Sequence, residues 1–203
     1  MISIYSKVSP VEWAKTGLRR KADNLKINVG HGPFRHEGWL NVDCHLSRKK
    51  TDIVCDLRRR WPLPAGSAQY IFSEHVFEHF GYPDEIGHVM NECYRILKPG
   101  GVLRVIVPDA ERYLRAYANN DKDFVRLIGG ESVSGMSLVN TMMRESGFHR
   151  YAYDFFELEQ VLKRAGFDSV SRSSLKASRH PELNLDLDDG QRDLISLYVE
   201  AVK

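Results

Sequence analysis

Two glycines and two aspartates in the first third of the chain have the types and spacing of a nucleoside-binding site. Gly30 and Gly32 form a Gly-x-Gly pair after an apolar stretch, and Asp43 and Asp56 each follow a later apolar stretch. Glycine lets the backbone turn tightly and approach a ligand closely because it has no Cβ. A carboxylate at the end of the next strand suits the two hydroxyls of a ribose. The four residues therefore predict a crevice that binds a nucleoside.

The short connection after the glycine pair narrows the kind of ligand. A dinucleotide site has a third glycine and opens a helix whose N-terminus meets the pyrophosphate. Here the third glycine is missing, and only six residues separate Gly32 from Trp39. This length leaves no room for a full helix, so a nucleoside without phosphates fits better than NAD.

The elements that must position these residues alternate along the chain. Apolar stretches predict strands over 25–29, 39–42, 52–55, 70–73, 102–107, 168–173 and 195–202. Helical spacing predicts helices over 83–97, 109–117 and 154–165, and a capping box predicts another over 10–21. Such alternation implies a mostly parallel sheet with helices on both faces. In such a sheet the ligand binds beyond the carboxyl ends of the strands, where the glycines and aspartates fall.

Length and composition indicate one ordinary globular domain over 1–203, with an N-terminal helical segment over 1–24. The chain has 203 residues, of which 42% are apolar and 28% charged, and its formal net charge is +2. The near-neutral charge argues against a nucleic-acid-binding protein, and the basic clusters at 19–21, 48–50 and 58–60 are interpreted as solvated charge. The glycine-rich, polar segment 119–150 predicts a lid or a substrate-binding insertion.

The spacing of the cysteines and the length of the apolar runs predict the cellular compartment of the protein. The three cysteines are widely spaced without a Cys-x-x-Cys pair, which predicts free thiols in a reducing compartment. Apolar runs are too short to span a bilayer, and the N-terminus does not have the pattern of a signal peptide. A cytoplasmic protein is expected.

Six motifs in a fixed order resemble the class I S-adenosyl-L-methionine (SAM)-dependent methyltransferases of the type 11 kind. They are Ile-Asn-Val-Gly-His-Gly at 27–32, Gly-Trp-Leu-Asn-Val-Asp at 38–43, Asp-Leu at 56–57, Trp-Pro-Leu-Pro at 61–64, His-Val-Phe-Glu-His at 75–79 and Arg-Ile-Leu-Lys-Pro-Gly-Gly at 95–101. The resemblance covers about 25–109 and resumes at 149–167 and 196–203. It implies a Rossmann-like, doubly wound, mostly parallel seven-stranded sheet with an antiparallel C-terminal strand, and SAM as the cofactor.

The resemblance also implies how the chain holds SAM. The glycine pair would approach the methionine part, Asp43 would bind the ribose hydroxyls, and Asp56 would accept from the adenine amino group. Asn28 stands where many relatives have an acidic residue, so it keeps an acceptor for the SAM ammonium but lacks the charge, which predicts a modest affinity. The implied cofactor-binding residues are Asn28, Val29, Gly30, Gly32, Asp43, Asp56, Leu57, Ser73, Glu74 and His75.

Methyl transfer to a hydroxyl needs a group that removes a proton, and three residues are candidates. They are His149, His75 and Asp109; the alternatives are a helix-entry histidine for His149 and a helix cap for Asp109. The chain has neither the Asn/Asp-Pro-Pro-Tyr segment of amino-methylating nucleic-acid enzymes nor the Pro-Cys pair of a cytosine C5 nucleophile. With its near-neutral charge, this predicts O-methylation of a small molecule or saccharide and no nucleic-acid partner.

Two alternatives of other classes stay open. One is a SAM-binding interaction module without transfer activity. The other is a zinc hydrolase, since His75-x-x-Glu78-His79 matches the H-x-x-E-H pattern of zinc-binding helices. The pattern directly follows an apolar strand and precedes Gly81-Tyr82-Pro83, which argues against a long metal-binding helix. No metal is therefore expected, and the sequence does not predict the oligomeric state.

Overall fold

A single seven-stranded sheet organises the computed structural model, which describes residues 23–44 and 51–203. The strands are β1 (Leu25–Val29), β2 (Leu40–Asp43), β3 (Ile53–Val54), β4 (Ala68–Glu74), β5 (Leu97–Pro108), β6 (Ser169–Arg172) and β7 (Ser196–Val202). Their order is β3-β2-β1-β4-β5-β7-β6. The first five strands pair in parallel, and β7 is antiparallel to both β5 and β6. The predicted Rossmann-like sheet is confirmed.

Six helices accompany the sheet within the described residues. They are α1 (Asp84–Ile96), α2 (Ala110–Ala118), α3 (Lys122–Gly129), α4 (Gly135–Arg144), α5 (Phe155–Arg164) and α6 (Arg192–Ile195). Polar caps set several starts: the Asp154 carboxylate accepts from the Glu157 N–H at 2.8 Å where α5 begins. The helices predicted over 83–97, 109–117 and 154–165 are confirmed to within about a residue at each end. The helix predicted over 10–21 lies outside the described residues.

One strand boundary needs correction, and the segment over 119–150 has structure of its own. Strand β5 begins at Leu97 rather than at 102, because Leu97 pairs with Ala68 of β4 and Gly100 donates its N–H at 2.6 Å to the carbonyl of Lys203, which directly follows β7. The segment over 119–150 contains the helices α3 and α4, and its role as a lid or substrate-binding insertion stays a prediction. Buried Leu138 and Met142 of α4 pack against Tyr113 of α2, so this segment has an apolar cluster of its own.

The two faces of the sheet are covered differently. The larger core packs α1 and α5 against one face through residues such as Met90 and Leu162. On the other face, Trp39 and Phe72 pack in one cluster with Leu183, which lies in the 173–195 connection. Within the described part of the chain, this second face is covered by that connection, which includes α6.

Arg104, at the centre of β5, anchors the 173–195 connection to the sheet. Its side chain is fully buried and donates to both carboxylate oxygens of Asp186, at 2.7 and 2.5 Å. It also donates to the Glu200 carboxylate at 2.9 Å and to the Ser173 hydroxyl at 3.0 Å. These bonds hold the connection over the ends of β1 and β4, where Arg192 reaches the crevice.

Candidate active site

The turn after β1 leaves bare backbone at the crevice. Gly30 and Gly32 have φ angles of +66° and +51°, in the left-handed region that favours glycine. A Cβ on Gly30 would lie 2.5 Å from Val76 Cγ2, so no larger residue fits there. The Gly32 N–H donates to Asp43 Oδ2 at 3.0 Å. The glycine turn is thus held between β2 and the segment that follows β4.

Asn28 presents its amide to the same crevice. Its Nδ2 donates to the Phe34 carbonyl and to Asn41 Oδ1, both at 3.1 Å. Because these two bonds use both amide hydrogens, the carbonyl oxygen is the part of Asn28 that can accept from a ligand. The amide therefore has an acceptor for an ammonium group, as the sequence predicts.

A cavity of about 200 Å³ lies against the glycine turn. It is lined by Asn28, Gly30, His31, Gly32, Pro33, Phe34, His36, Phe72, Glu74, His75 and Arg192. Pockets for whole drug-sized ligands are typically about 300–1,000 Å³. The described cavity therefore suits one end of a nucleoside-linked amino acid such as SAM, and its mixture of bare backbone, rings and opposite charges fits the methionine end.

Glu74 and Arg192 form a pair of opposite charges on the cavity wall. Glu74 Oε2 accepts from the Leu187 N–H at 3.2 Å, whereas buried Oε1 has no hydrogen-bond partner and lies 3.9 Å from Arg192 Nε. Burial raises the pKa of the Glu74 carboxyl above its usual range. Sequence reasoning missed Arg192, because no local pattern signals an arginine that arrives from a distant connection.

His75 is the one predicted base on the cavity wall. Its Nε2 is hydrogen-bonded with the Ser196 hydroxyl at 2.9 Å, and its Nδ1 lies 3.6 Å from Glu78 Oε1. Burial and the nearby Arg192 charge lower the pKa of His75 to about 3. The ring is therefore neutral near pH 7 and a weak proton acceptor, which favours a positioning role.

The other two predicted bases, His149 and Asp109, are not among the residues that line the cavity. His149 Nδ1 donates to the Met142 carbonyl at 2.5 Å, and its Nε2 lies 2.9 Å from Glu145. Asp109 directly precedes α2 and makes no side-chain capping bond to it, and its Oδ2 lies 3.3 Å from Arg112 Nε. Their catalytic roles stay predictions.

Several other predicted cofactor residues lie at strand ends but contact the protein itself. Both oxygens of Asp56 accept from the Arg58 guanidinium at 2.9 Å, and the Leu57 carbonyl accepts from Trp61 Nε1 at 2.9 Å. The Ser73 hydroxyl, which is buried, donates to the carbonyl of Val29 at 3.4 Å. Asp43 is 5% exposed beneath the glycine turn. The structure brings these residues to one edge of the sheet, and their contacts with SAM stay predictions.

Comparison with known families identifies the kind of domain. Residues 39–105, from the start of β2 into β5, match the family described as "Methyltransferase domain". The human tRNA N(3)-cytidine methyltransferase METTL2B is 29% identical over 117 residues, which are 58% of this chain and 27% of that protein. The chain thus matches about a quarter of the length of this curated relative.

Solved structures share the fold. A SAM-dependent methyltransferase from Archaeoglobus fulgidus aligns with a TM-score of 0.56 at 17% identity, over 96% of this chain and 95% of that one. Phosphoethanolamine N-methyltransferase 2 from Haemonchus contortus, solved in complex with SAM, aligns with a TM-score of 0.52 at 14% identity, over 96% and 52%.

The fold is that of the class I SAM-dependent methyltransferases, and the resemblance found in the sequence is confirmed. The family match supports a methyltransferase domain, and the Haemonchus contortus structure of the same fold holds SAM. Among the described residues, no helix combines the length and apolar character needed to cross a bilayer. The cytoplasmic location stays a prediction.

Proposed function

We propose that this domain transfers a methyl group from SAM to an oxygen of a small molecule or saccharide. The observation that carries the proposal is the half-buried carboxylate of Glu74, whose buried Oε1 has no hydrogen-bond partner, on the wall of the cavity beside the glycine turn. SAM supplies a methyl group on a positively charged sulfur when it is bound. The chain must then orient the acceptor, exclude water and take up the proton of its hydroxyl.

The residues for the methionine end of SAM have complementary chemistry. The Arg192 guanidinium would bind the carboxylate, and the Asn28 carbonyl oxygen would accept from the ammonium. The backbone of Gly30 and Gly32 would lie against the chain between them. Asp43 would reach the ribose hydroxyls from the end of β2, and Asp56 the adenine.

Glu74 is proposed to receive the acceptor's proton, in place of the three bases expected from the sequence. Its Oε1 has no hydrogen-bond partner, and burial raises its pKa, which makes it a better proton acceptor than an ordinary carboxylate. His75, held by its hydrogen bond with Ser196, would help to shape the side of the cavity that binds the acceptor.

Two pairs of measurements test this division of roles. Asp43→Ala and Arg192→Gln should each weaken SAM binding, measured by calorimetry, by about tenfold or more, as expected for a lost charge-assisted hydrogen bond. Glu74→Gln should leave SAM binding within about twofold but lower kcat for a hydroxyl acceptor by about 100-fold or more. If calorimetry detects no heat at millimolar SAM, the proposed cofactor binding is wrong. If the Glu74→Gln variant stays active, Glu74 is not the base.

A second candidate is methylation of a ring nitrogen in RNA, and the relatives named as tRNA methyltransferases favour it. Arg59 and Arg60 are exposed just after β3, near the same edge of the sheet, and offer charge for phosphates. A ring nitrogen attacks with its own lone pair, so this reaction needs no base. We rank it second because the formal net charge of the chain is only +2.

An acceptor panel separates these candidates. Purified protein would be incubated with SAM and with saccharides, phenols or tRNA, and S-adenosylhomocysteine would be measured. Product with tRNA that falls in an Arg59→Gln/Arg60→Gln variant but persists in Glu74→Gln would favour the RNA candidate. A protein that binds SAM yet forms no product over the whole panel would favour the non-catalytic module.

A further inference from the structure

A group of metal-ligating side chains lies beside the crevice, outside the proposed cofactor site. One ligand atom each from Glu78, His79 and His149 lies within 4.8 Å of the other two. Glu78 and His79 belong to the 3-10 turn Phe77–His79 after β4, and His149 follows α4. The sequence pattern suggested His75 as the second histidine, but the fold brings His149 to this position instead.

Both histidines contact a backbone carbonyl through the same ring nitrogen, Nδ1. His149 Nδ1 contacts the Met142 carbonyl at 2.5 Å, and His79 Nδ1 contacts the Phe148 carbonyl at 3.1 Å. A carbonyl only accepts, so each Nδ1 carries the hydrogen, and a neutral ring keeps its lone pair on Nε2. Metal-binding histidines are typically oriented by such a bond to a carbonyl.

Glu78 supplies a buried carboxylate that the protein leaves without hydrogen bonds. Its side chain is 2% exposed, and neither Oε1 nor Oε2 has a hydrogen-bond partner. His149 Nε2 lies 3.8 Å from Glu78 Oε1, beyond hydrogen-bonding distance, and 2.9 Å from Glu145 Oε2. Buried polar groups are normally satisfied, so this carboxylate requires an explanation.

The backbone holds the two contributing segments together. The Glu78 carbonyl accepts from the N–H groups of Arg150 and Tyr151, at 2.8 and 3.1 Å, and the His149 N–H donates to Arg144. The side chains therefore converge from segments whose relative position is fixed by hydrogen bonds. Ligands around a tetrahedral zinc lie about 3.3 Å apart, with bonds of about 2.0 Å, so small side-chain rotations would close the site.

We propose that Glu78, His79 and His149 bind one divalent transition-metal ion, zinc by the chemistry of two imidazoles and one carboxylate. Glu145, beside His149 Nε2, supplies a fourth oxygen. The ion ties the end of the α3–α4 segment to the turn after β4. Its role is structural, and it neutralises the carboxylate that faces His75 at the cavity.

The competing explanation is that a proton on His149, rather than a metal ion, holds the cluster together. A charged His149 between Glu78 and Glu145 would also bring these groups together. It does not account for His79, which also places a ligand atom within 4.8 Å of those of Glu78 and His149. The ring centroids of His79 and His149 are 5.1 Å apart.

Metal binding by the full chain, expressed without a histidine tag and dialysed against chelator, tests the proposal without any methyl transfer. Zinc titration by calorimetry and elemental analysis should give one ion per chain. Cobalt should give the visible absorption of a four-coordinate site. Glu78→Gln, His79→Gln and His149→Gln should each weaken zinc binding on the order of 100-fold, whereas His180→Gln, which alters a histidine paired with Tyr70, should not.

Thermal unfolding provides the second readout and detects variants that fail to fold. Zinc should raise the Tm of the wild type and of His180→Gln but not of the three cluster variants, which should match the chelated wild type within a few degrees. His79 is partly exposed, so its variant should fold even if the others do not. No bound zinc, or zinc binding that persists undiminished in folded His79→Gln and His149→Gln, would overturn the proposal.

Discussion

Arg104 and Glu78 are both buried ionisable residues near the same crevice, yet their surroundings are opposite. Burial raises the pKa of the Glu78 carboxyl to about 8. Arg104 donates to two carboxylates, a hydroxyl and the Ser174 carbonyl, so its guanidinium is fully engaged. Glu78 has two carboxylate oxygens without a hydrogen-bond partner. A buried charge costs several kcal/mol unless it is paired. The protein itself supplies all the partners of Arg104, whereas the Glu78 carboxylate has the arrangement of a group that binds a ligand.

The difference separates positions that build the fold from positions available for function. The Arg104 cluster joins β5 and β7 to the 173–195 connection and so places Arg192 at the cavity. The Glu78 cluster lies between the turn after β4 and the end of the α3–α4 segment, where backbone hydrogen bonds join the two but the Glu78 carboxylate itself has no hydrogen bond. Mutations in the two clusters should therefore affect stability very differently.

The largest effect is expected at Arg104. Arg104→Met would leave the fully buried Asp186 carboxylate without its cation, and breaking such a pair costs about 3–5 kcal/mol. Urea unfolding followed by circular dichroism would measure the loss. Glu200→Gln is the matched control, because Glu200 is 12% exposed and accepts one of the bonds, so about 1 kcal/mol is expected. Similar losses in the two variants would show that the cluster is not organised around Asp186.

The next largest loss of stability is expected at Glu92, which forms an ion pair with Arg95 at the edge of the core. Glu92 accepts from the Trp61 N–H and from Arg95, each at 2.7 Å. Burial alone would raise the pKa of Glu92, but these hydrogen bonds outweigh it and lower the pKa below its ordinary value of 4.5. Glu92→Gln should cost about 1–2 kcal/mol at pH 7.

The pH dependence of that cost has a defined sign. A carboxyl with a lowered folded-state pKa stabilises the protein above the unfolded value and loses that contribution as the pH falls through the folded value. Unfolding free energies of wild type and Glu92→Gln should therefore converge below about pH 4.5. A difference that stayed constant from pH 7 to pH 3 would show that packing, not the charge, is responsible.

The fold could be predicted from the sequence because its signals are local. Apolar runs and helical spacing located β1, α1 and α5, and the short connection after Gly32 excluded a helix there. The start of β5 could not be found in this way. It depends on Gly100 meeting the end of β7, which is far away in the chain.

The site could be predicted only where it follows from strand ends. Gly32 and Asp43 come together because parallel strands end at one edge of the sheet. Arg192 and His149 arrive from connections whose paths depend on tertiary packing, so their partners Glu74 and Glu78 could not be inferred from spacing.

A smaller effect is expected for Glu78 in protein freed of metal. Glu78→Gln removes no hydrogen bond, so the unfolding free energy in the presence of chelator should be unchanged or higher, within about 1 kcal/mol. Asp186→Asn, treated in parallel, should lose several kcal/mol because it weakens a complete ion pair. A loss of that size in Glu78→Gln would mean that Glu78 is already satisfied within the chain, and the contrast between the two clusters would fail.

The smallest effect is expected where the same ion-pair chemistry lies in solvent. Arg126 of α3 is 59% exposed and pairs with Asp123 at 3.0 Å, so water screens the attraction and the long side chain loses entropy in one geometry. Arg126→Gln should change the unfolding free energy by no more than about 0.5 kcal/mol, with a further decrease of the effect at high salt. A loss above about 2 kcal/mol would mean that burial does not distinguish Arg104 from Arg126. An exposed ion pair would then stabilise the protein about as much as the buried pair between β5 and the 173–195 connection.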